Sequence, residues 1–368
     1  MTAVTERPPA PTSLLPRSSI VGLGIFASVL VVFLASSRLP ATLQKFDVVG
    51  DGQSGRGSST FGRVLDPAAY DEPVRWLAYG ANLWDANAIG MFFAMLLGGA
   101  AIGSLTPTAR MQRLLRRQGA LGAGTGGVLG MPLFLCSACS SPVSLGFYRN
   151  GAAVETSLGM ILGSALFNPV GLIAIVLLFP LPVALARIGF GLACILLLVP
   201  LAARWATPRC ATLGELPLGL PPEEQVEPWG SAVRHGLRQW MSNSADVALR
   251  LGPPMLLATL AVGGVLTLVP PQELADRFGA GLLAIAVTAA VGTLIQLPTL
   301  FEIPLVIGVL ALGLGIGPAA ALLVTAPSVG IVTLAITRVD LGWRPAAVLL
   351  AGTFVGGVGV GLLASLVA

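Results

Sequence analysis

Two stretches of this chain interrupt apolar runs with polar, proline-ended patches, and a chain bathed in lipid can do that in few ways. The first is Cys136-Ser137-Ala138-Cys139-Ser140-Ser141-Pro142, followed by Gly146 and by Arg149-Asn150-Gly151. The second is Glu302-Ile303-Pro304, with Gly308 and Gly313 behind it. In hydrocarbon every backbone N–H and C=O needs a partner within the protein, so a helix breaks at depth only where protein or a cavity covers the break. At a shift of 162 residues Gly130, Pro142, Gly146 and Gly151 fall without a gap on Gly292, Pro304, Gly308 and Gly313. The pattern therefore reads as an internal duplication with two broken hairpins, shaped by those prolines and glycines.

Composition says what solvent surrounds these runs. Apolar residues make up 55% of the chain and charged residues 10%, a balance that soluble domains of this length do not show. The 46 glycines and 28 prolines lie inside apolar runs, as they do in membrane helices whose neighbours repair the freed backbone groups. The class is an all-α polytopic membrane protein. There are 21 Lys plus Arg against 17 Asp plus Glu, but the arginines sit between apolar segments and form no nucleic-acid footprint. Cys136, Cys139, Cys194 and Cys210 make no extracellular disulfide framework, and His235 is the only histidine. A zinc site of ordinary spacing is absent, and no metal or cofactor is expected. No P-loop, HExxH or GxSxG occurs, so neither ATP hydrolysis nor membrane enzymology is expected.

Windows of about twenty apolar residues mark candidate segments, roughly nine to eleven in all. They cover 20–39, 86–105, 121–135 with a continuation at 143–148, 157–179 and 182–203. The second half offers 245–269, 281–297 continued at 305–314, 319–337 and 346–367. The layout is a disordered 1–19, a first span at 20–39, an extracytoplasmic segment 40–85, repeat 1 at 86–203, a cytoplasmic linker 204–244 and repeat 2 at 245–368. A secretory signal is the alternative for 20–39, but its apolar core would be shorter. Arginines at 110, 113, 116 and 117, in the central linker, and at 338 and 344 set those loops on the cytoplasmic side. That places the N-terminus inside, in a cell inner membrane. Trp76, Tyr79 and Trp84 read as an outer interfacial belt. Each repeat makes an odd number of crossings whether its hairpin spans or is re-entrant, so the second enters from the opposite side. That is the inverted-repeat plan of many secondary transporters, which bind at the midplane on discontinuous helices. The two breaks, near Pro142 and Pro304, are expected to face each other.

Several side chains carry chemistry within this plan. Cys136 and Cys139 stand at i and i+3, where their sulfurs converge on soft species such as trivalent arsenic or Cu(I). Cysteine is also a common small packing residue. Ser137, Ser140 and Ser141 make the patch a candidate substrate site, although serines also glue membrane helices together. Asn168, before Pro169, offers an amide to a cavity or marks a packed kink. Pro327-Ser328 is its counterpart in the second half. Glu302, deep in apolar sequence, marks a proton or ion path by default; the alternative is a structural acid held by an arginine from another span. Arg149 either holds an anionic group or sits at the cytoplasmic interface. Arg187 and Arg250, near span ends, read as snorkelling residues.

The run from Pro132 to Gly146, followed by Arg149-Asn150-Gly151-Ala152 and by Gly163-Ser164-Ala165-Leu166-Phe167-Asn168-Pro169, resembles the predicted-permease family that includes the ArsP organoarsenical efflux permeases. Glu302-Ile303-Pro304, Gly308 and Ala326-Pro327-Ser328 extend the likeness into the second half. Two departures stand out: the second cysteine lies one place later than in the commonest form, and Ala165 replaces a usual proline. The resemblance implies transport; the leading reading is a secondary permease that exports a small thiophilic or metalloid solute on Cys136 and Cys139, with Glu302 coupling its movement to protons. A passive channel lined by Glu302, or a non-transporting membrane scaffold docking through the central loop, are the competing classes.

Overall fold

The structure is a computed structural model that describes residues 17–40, 64–102, 113–149, 151–206, 228–268, 281–295, 297, 302–311 and 313–367. Cys210, Asn150, the acidic part of the central loop and most of the first sixty residues, as read above, lie outside the described residues. The described residues contain helices and no strand. Helix α1 (Arg17–Phe33) runs on through a π-helical turn at Leu34–Arg38. Next come α2 (Glu72–Ala101), α3 (Gly119–Gly130), α4 (Ser137–Arg149), α5 (Val154–Leu166) and α6 (Pro169–Leu178). Helix α7 (Leu181–Ala193) continues through a π turn at Cys194–Leu198 into Val199–Ala203. The second half holds α8 (Trp229–Leu268), α9 (Leu282–Leu294), α10 (Glu302–Ala311), α11 (Ile316–Thr325), α12 (Ile331–Leu341) and α13 (Trp343–Val367).

Among the described residues, five helices are long and apolar enough to cross a membrane, and the pair α5–α6, bent by 40°, makes a sixth candidate. Leu177, Leu197, Leu249, Leu257 and Leu366 stand exposed on these helices, while Ser137, Ser140, Ser141, Ser144, Ser157 and Thr325 are buried. Such an apolar exterior is a liability in water and a match for lipid tails. The small hydroxyl residues let helices approach closely and bond across, as in membrane interiors. Gly126 packs on Thr156 and Gly130 on Met160, leaving no room for a Cβ between α3 and α5.

Several boundaries differ from the sequence reading. Helix α1 begins at Arg17, inside the stretch expected to be disordered, and the Arg17 guanidinium lies 5.1 Å above the Trp229 ring. Helix α2 begins at Glu72, with Pro73 in its first turn, and so takes in Trp76, Tyr79 and Trp84. Proline early in a helix forfeits a bond that the first turn lacks anyway. Asn82 accepts hydrogen bonds from the Val64 and Leu65 amides and donates to the Leu65 carbonyl at 2.7 Å, pinning the preceding segment against α2. Helix α8 begins at Trp229 and so absorbs the end of the expected linker. The expected single spans 157–179 and 319–337 are each two helices, broken at Phe167–Asn168 and between Thr325 and Ile331.

The hairpin breaks also fall elsewhere than expected. The first interruption runs from Met131 to Cys136, with Phe134 in the left-handed region at φ 52°. Pro142 lies inside α4, beyond the break. Gly98 of α2 packs against its backbone, and that contact covers a stretch where the proline removes a helical N–H. Likewise Pro304 sits in the first turn of α10, after the break.

The first hairpin leaves and returns to one end of the molecule. The Ala153 amide donates to the Leu115 carbonyl at 2.8 Å, and the Gly119 amide donates to Glu155 Oε1 at 3.1 Å. Helices α3 and α5 thus start side by side. In the second half, Ile285 in the first turn of α9 packs on Gly317 at the start of α11. The same shift of 162 carries α3, α5, α6 and the Leu181–Ala203 run onto α9, α11, α12 and α13, within a few residues at each end. It also carries Gly151, at φ 92°, onto Gly313, at φ 95°, where only glycine adopts the turn without strain. Helices related by this shift run antiparallel where they meet. Gly80 and Gly99 of α2 pack on Leu260 and Ser244 of α8, and Gly356 and Gly352 of α13 pack on Phe190 and Leu198 of the α7 run.

Candidate functional site

The Cys136 carbonyl accepts the Ser140 amide at 2.9 Å, so Cys136 caps α4 and Cys139 stands in its first turn. Both thiols are buried, at 4% and 0% exposure, in one apolar cluster with Leu133, Val143, Val329 and Val332. A helix N-terminus at this depth carries the positive end of its dipole, which favours an electron-rich ligand there. Ser164 of α5 clasps the break: its hydroxyl accepts from the Leu135 amide at 3.1 Å and donates to the Leu135 carbonyl at 2.9 Å. This pairs backbone groups that lipid would leave stranded.

The neighbouring serines are engaged in the fold. Ser141 donates to the Ser137 carbonyl at 2.7 Å, Ser140 to the same carbonyl at 3.2 Å, and Ser144 to the Ser157 carbonyl of α5. Each hydroxyl keeps acceptor capacity toward a ligand. Asn168 is buried and caps α6, its Oδ1 accepting from the Val170 amide at 3.0 Å. The carbonyl half of that amide therefore holds the break. Pro327 lies in the turn between α11 and α12, and Gly146 packs on the Gly98 carbonyl.

Glu302 opens α10 and is 3% exposed. Its partner is Arg187 of α7, whose Nη2 approaches Glu302 Oε1 at 3.4 Å. Arg187 Nη1 also donates to the Leu323 carbonyl of α11, while its Nε has no hydrogen-bond partner. Arg187 is 2% exposed, so the snorkelling assigned to it from sequence is wrong: it pairs inward with the second half. Physically, an arginine beside a deep carboxylate gains more from that charge than from reaching an interface. Among α6, α9, α10 and α11, Glu302 is the only ionisable side chain.

A second arginine also ties the halves together. Arg149, at the end of α4, donates from Nε and Nη2 to the two carboxylate oxygens of Asp340 on α12, each at 3.0 Å. Asp246 of α8 adds an oxygen 3.7 Å from Arg149 Nη1 and pairs with Arg250 at 2.6 Å. Arg149 is thereby committed within the protein, and Arg250 is an exposed helix-surface partner of Asp246. Sequence reading missed Arg187 and Asp340 as site residues. The signal for Arg187 was a lone basic residue within the apolar run 181–203. Among the described residues, no group of three or more His, Cys, Asp and Glu side chains could hold a metal ion.

Long apolar helices, an apolar exterior and buried hydroxyl side chains between discontinuous helices define a polytopic α-helical membrane protein. The model of the predicted permease family ArsP_1 matches residues 81–366, and the chain belongs to that family. Over 288 residues it is 26% identical to the UPF0718 protein YraQ of Escherichia coli K12, covering 77% of this chain and 79% of that protein. A stretch of 98 residues is 29% identical to the UPF0718 protein MJ0584 of Methanocaldococcus jannaschii, 26% of this chain and 27% of that one. No solved structure matches the chain.

Proposed function

We propose that this protein is a secondary-active permease of the cell inner membrane that exports a small thiophilic solute, such as a trivalent organoarsenical, and couples its movement to protons. The observation that carries this reading is the buried Arg187–Glu302 pair at the start of a helix that begins inside the bundle. A pair at such depth is expensive to keep, and proteins keep one there chiefly to move ions or solutes. Antiparallel packing of the shift-related helices supports two inverted repeats, with alternating access by rocking of one against the other. The cluster of arginines at the start of α3, joined by Arg149 and Arg338, supports a cytoplasmic assignment of that end and of the N-terminus.

In this reading Cys136 and Cys139 take the thiophilic atom at the N-terminus of α4, with Ser137, Ser140, Ser141 and Asn168 around it. Glu302 carries the proton, and Arg187 holds its carboxylate when it is ionised. Both thiols are closed off in this conformation, so loading requires the hairpin to shift. The test is uptake of a trivalent arsenical into proteoliposomes or everted vesicles holding the full chain. Saturable flux that responds to a pH gradient and disappears in the Cys136→Ser/Cys139→Ser protein supports the reading. Uncoupled conductance, or flux indifferent to both cysteines, overturns it.

A further inference from the structure

We infer that Arg187 is an oxyanion site: the cargo carries a carboxylate, phosphonate, sulfonate or similar group that replaces Glu302 on the guanidinium when Glu302 is protonated. This rests on the reading of the Arg187–Glu302 pair as the coupling site and adds the chemical class of what binds there. A guanidinium presents five donors in a planar fork, matched to two oxygens of one oxyanion. Here the fork is poorly filled. Its approach to Glu302 is a single contact at 3.4 Å, longer than the usual charge-assisted bond. A second donor is spent on the Leu323 carbonyl, and Nε is buried with no partner. Arg149 shows what the same side chain does when its task is structural: two bonds at 3.0 Å to one carboxylate. The contrast within one molecule marks Arg187 as a residue with buried donor capacity to spare for an oxyanion.

The surroundings bear on how the exchange is driven. Arg187 is the charged group facing Glu302 from α7, and Glu302 is the only ionisable side chain on α6, α9, α10 and α11. Tyr79 of α2 packs against the apolar cluster that holds Ile303 and Val306 of α10. With Glu302 ionised, the two charges neutralise each other. When Glu302 takes up one proton its claim on Arg187 falls, and a buried arginine without a counter-ion is costly. An oxyanion then restores a counter-ion to the guanidinium, so protonation of Glu302 and oxyanion binding at Arg187 favour each other.

The test uses the purified full chain in detergent and sulfate as the probe, since its charge is constant between acidic and mildly alkaline buffer. Phosphate, methylphosphonate and acetate extend the panel by shape. Sulfate should bind the native protein more tightly in acidic buffer. Glu302→Gln should bind it with no pH dependence, and about ten- to a hundredfold more tightly than the native protein at alkaline pH, the worth of one charge-assisted bond. Arg187→Gln should abolish binding, and Arg187→Lys should restore part of it. Sulfate binding that persists in Arg187→Gln, or a Glu302→Gln protein that binds none of the four anions, overturns the inference. Should Arg187→Gln fail to fold, the Glu302→Gln arm and the native pH comparison decide alone. Cysteine-dependent arsenical flux in a protein that binds no oxyanion sinks this inference and leaves the permease reading standing. Loss of that flux with oxyanion binding intact does the reverse.

Discussion

Arg149 and Arg187 both reach from the first half of the chain to a carboxylate in the second, yet they are fastened differently. Arg149 grips Asp340 with two bonds at 3.0 Å and has Asp246 as a second neighbour. Arg187 meets Glu302 once, at 3.4 Å, with its Nε idle. Both pairs are largely removed from solvent, at 10% and 9% side-chain exposure for the first and 2% and 4% for the second. Burial alone therefore does not separate them; completeness of hydrogen bonding does. A fully bonded buried network rigidifies and specifies a conformation, whereas an unpaired buried donor carries a desolvation cost that a further acceptor would relieve. Arg149–Asp340 lies at the end where α3 starts, and Arg187–Glu302 joins helices inside the bundle. The former ties the two halves with a filled fork, and the proposed function rests on the latter.

The comparison is sharpest when each carboxylate is removed. Asp340→Ala should lower thermal stability by about 3–5 kcal/mol, the usual loss when one member of a buried pair is left without the other. Glu302→Gln should lose a comparable amount in oxyanion-free buffer. Differential scanning fluorimetry with and without sulfate separates the two, because sulfate should rescue Glu302→Gln and leave Asp340→Ala unchanged. Equal rescue of both would erase the distinction drawn here.

Removing both members of the deep pair should act differently. Arg187→Met with Glu302→Leu replaces two half-satisfied charges by apolar side chains, and such exchanges run from neutral to about 4 kcal/mol stabilising. That protein should melt no earlier than the native one while losing all transport. A double variant as destabilised as either single variant would mean that the pair is architectural. At the small end, Asp246→Asn touches an exposed partner at 44% side-chain exposure. It should cost no more than about 1 kcal/mol, the range of surface ion pairs. A loss as large as that of Asp340→Ala would make Asp246 part of that tie between the halves.

The membrane class was legible in the sequence because lipid imposes simple rules on length and polarity. The gapless shift that aligns Gly151 with Gly313 also aligns helices with helices, and the two glycines share one unusual backbone conformation. The exact break points were not legible. Proline was read as the breaker, but Pro142 sits within α4, while Phe134, an ordinary aromatic residue, takes the left-handed turn. Nothing in the local sequence announces Phe134; Ser164, thirty residues on, holds the break in place. Partners across long separations were equally hidden. An arginine from another span was only the alternative reading of Glu302 in the sequence, and packing alone identifies it as Arg187. Arg149 had two open readings until Asp340 filled its fork.

The most direct test of this account is the initial rate of arsenical flux driven by an imposed pH gradient, measured side by side in proteoliposomes of native, Glu302→Gln and Asp340→Asn protein. Each sample is normalised to folded, correctly inserted chain. The account predicts that Glu302→Gln still exchanges cargo between the two sides but no longer responds to the gradient, whereas Asp340→Asn still responds to it at an altered rate. A Glu302→Gln protein with an undiminished response to the pH gradient would contradict it, and would return Glu302 to the role that Asp340 plays at the other pair.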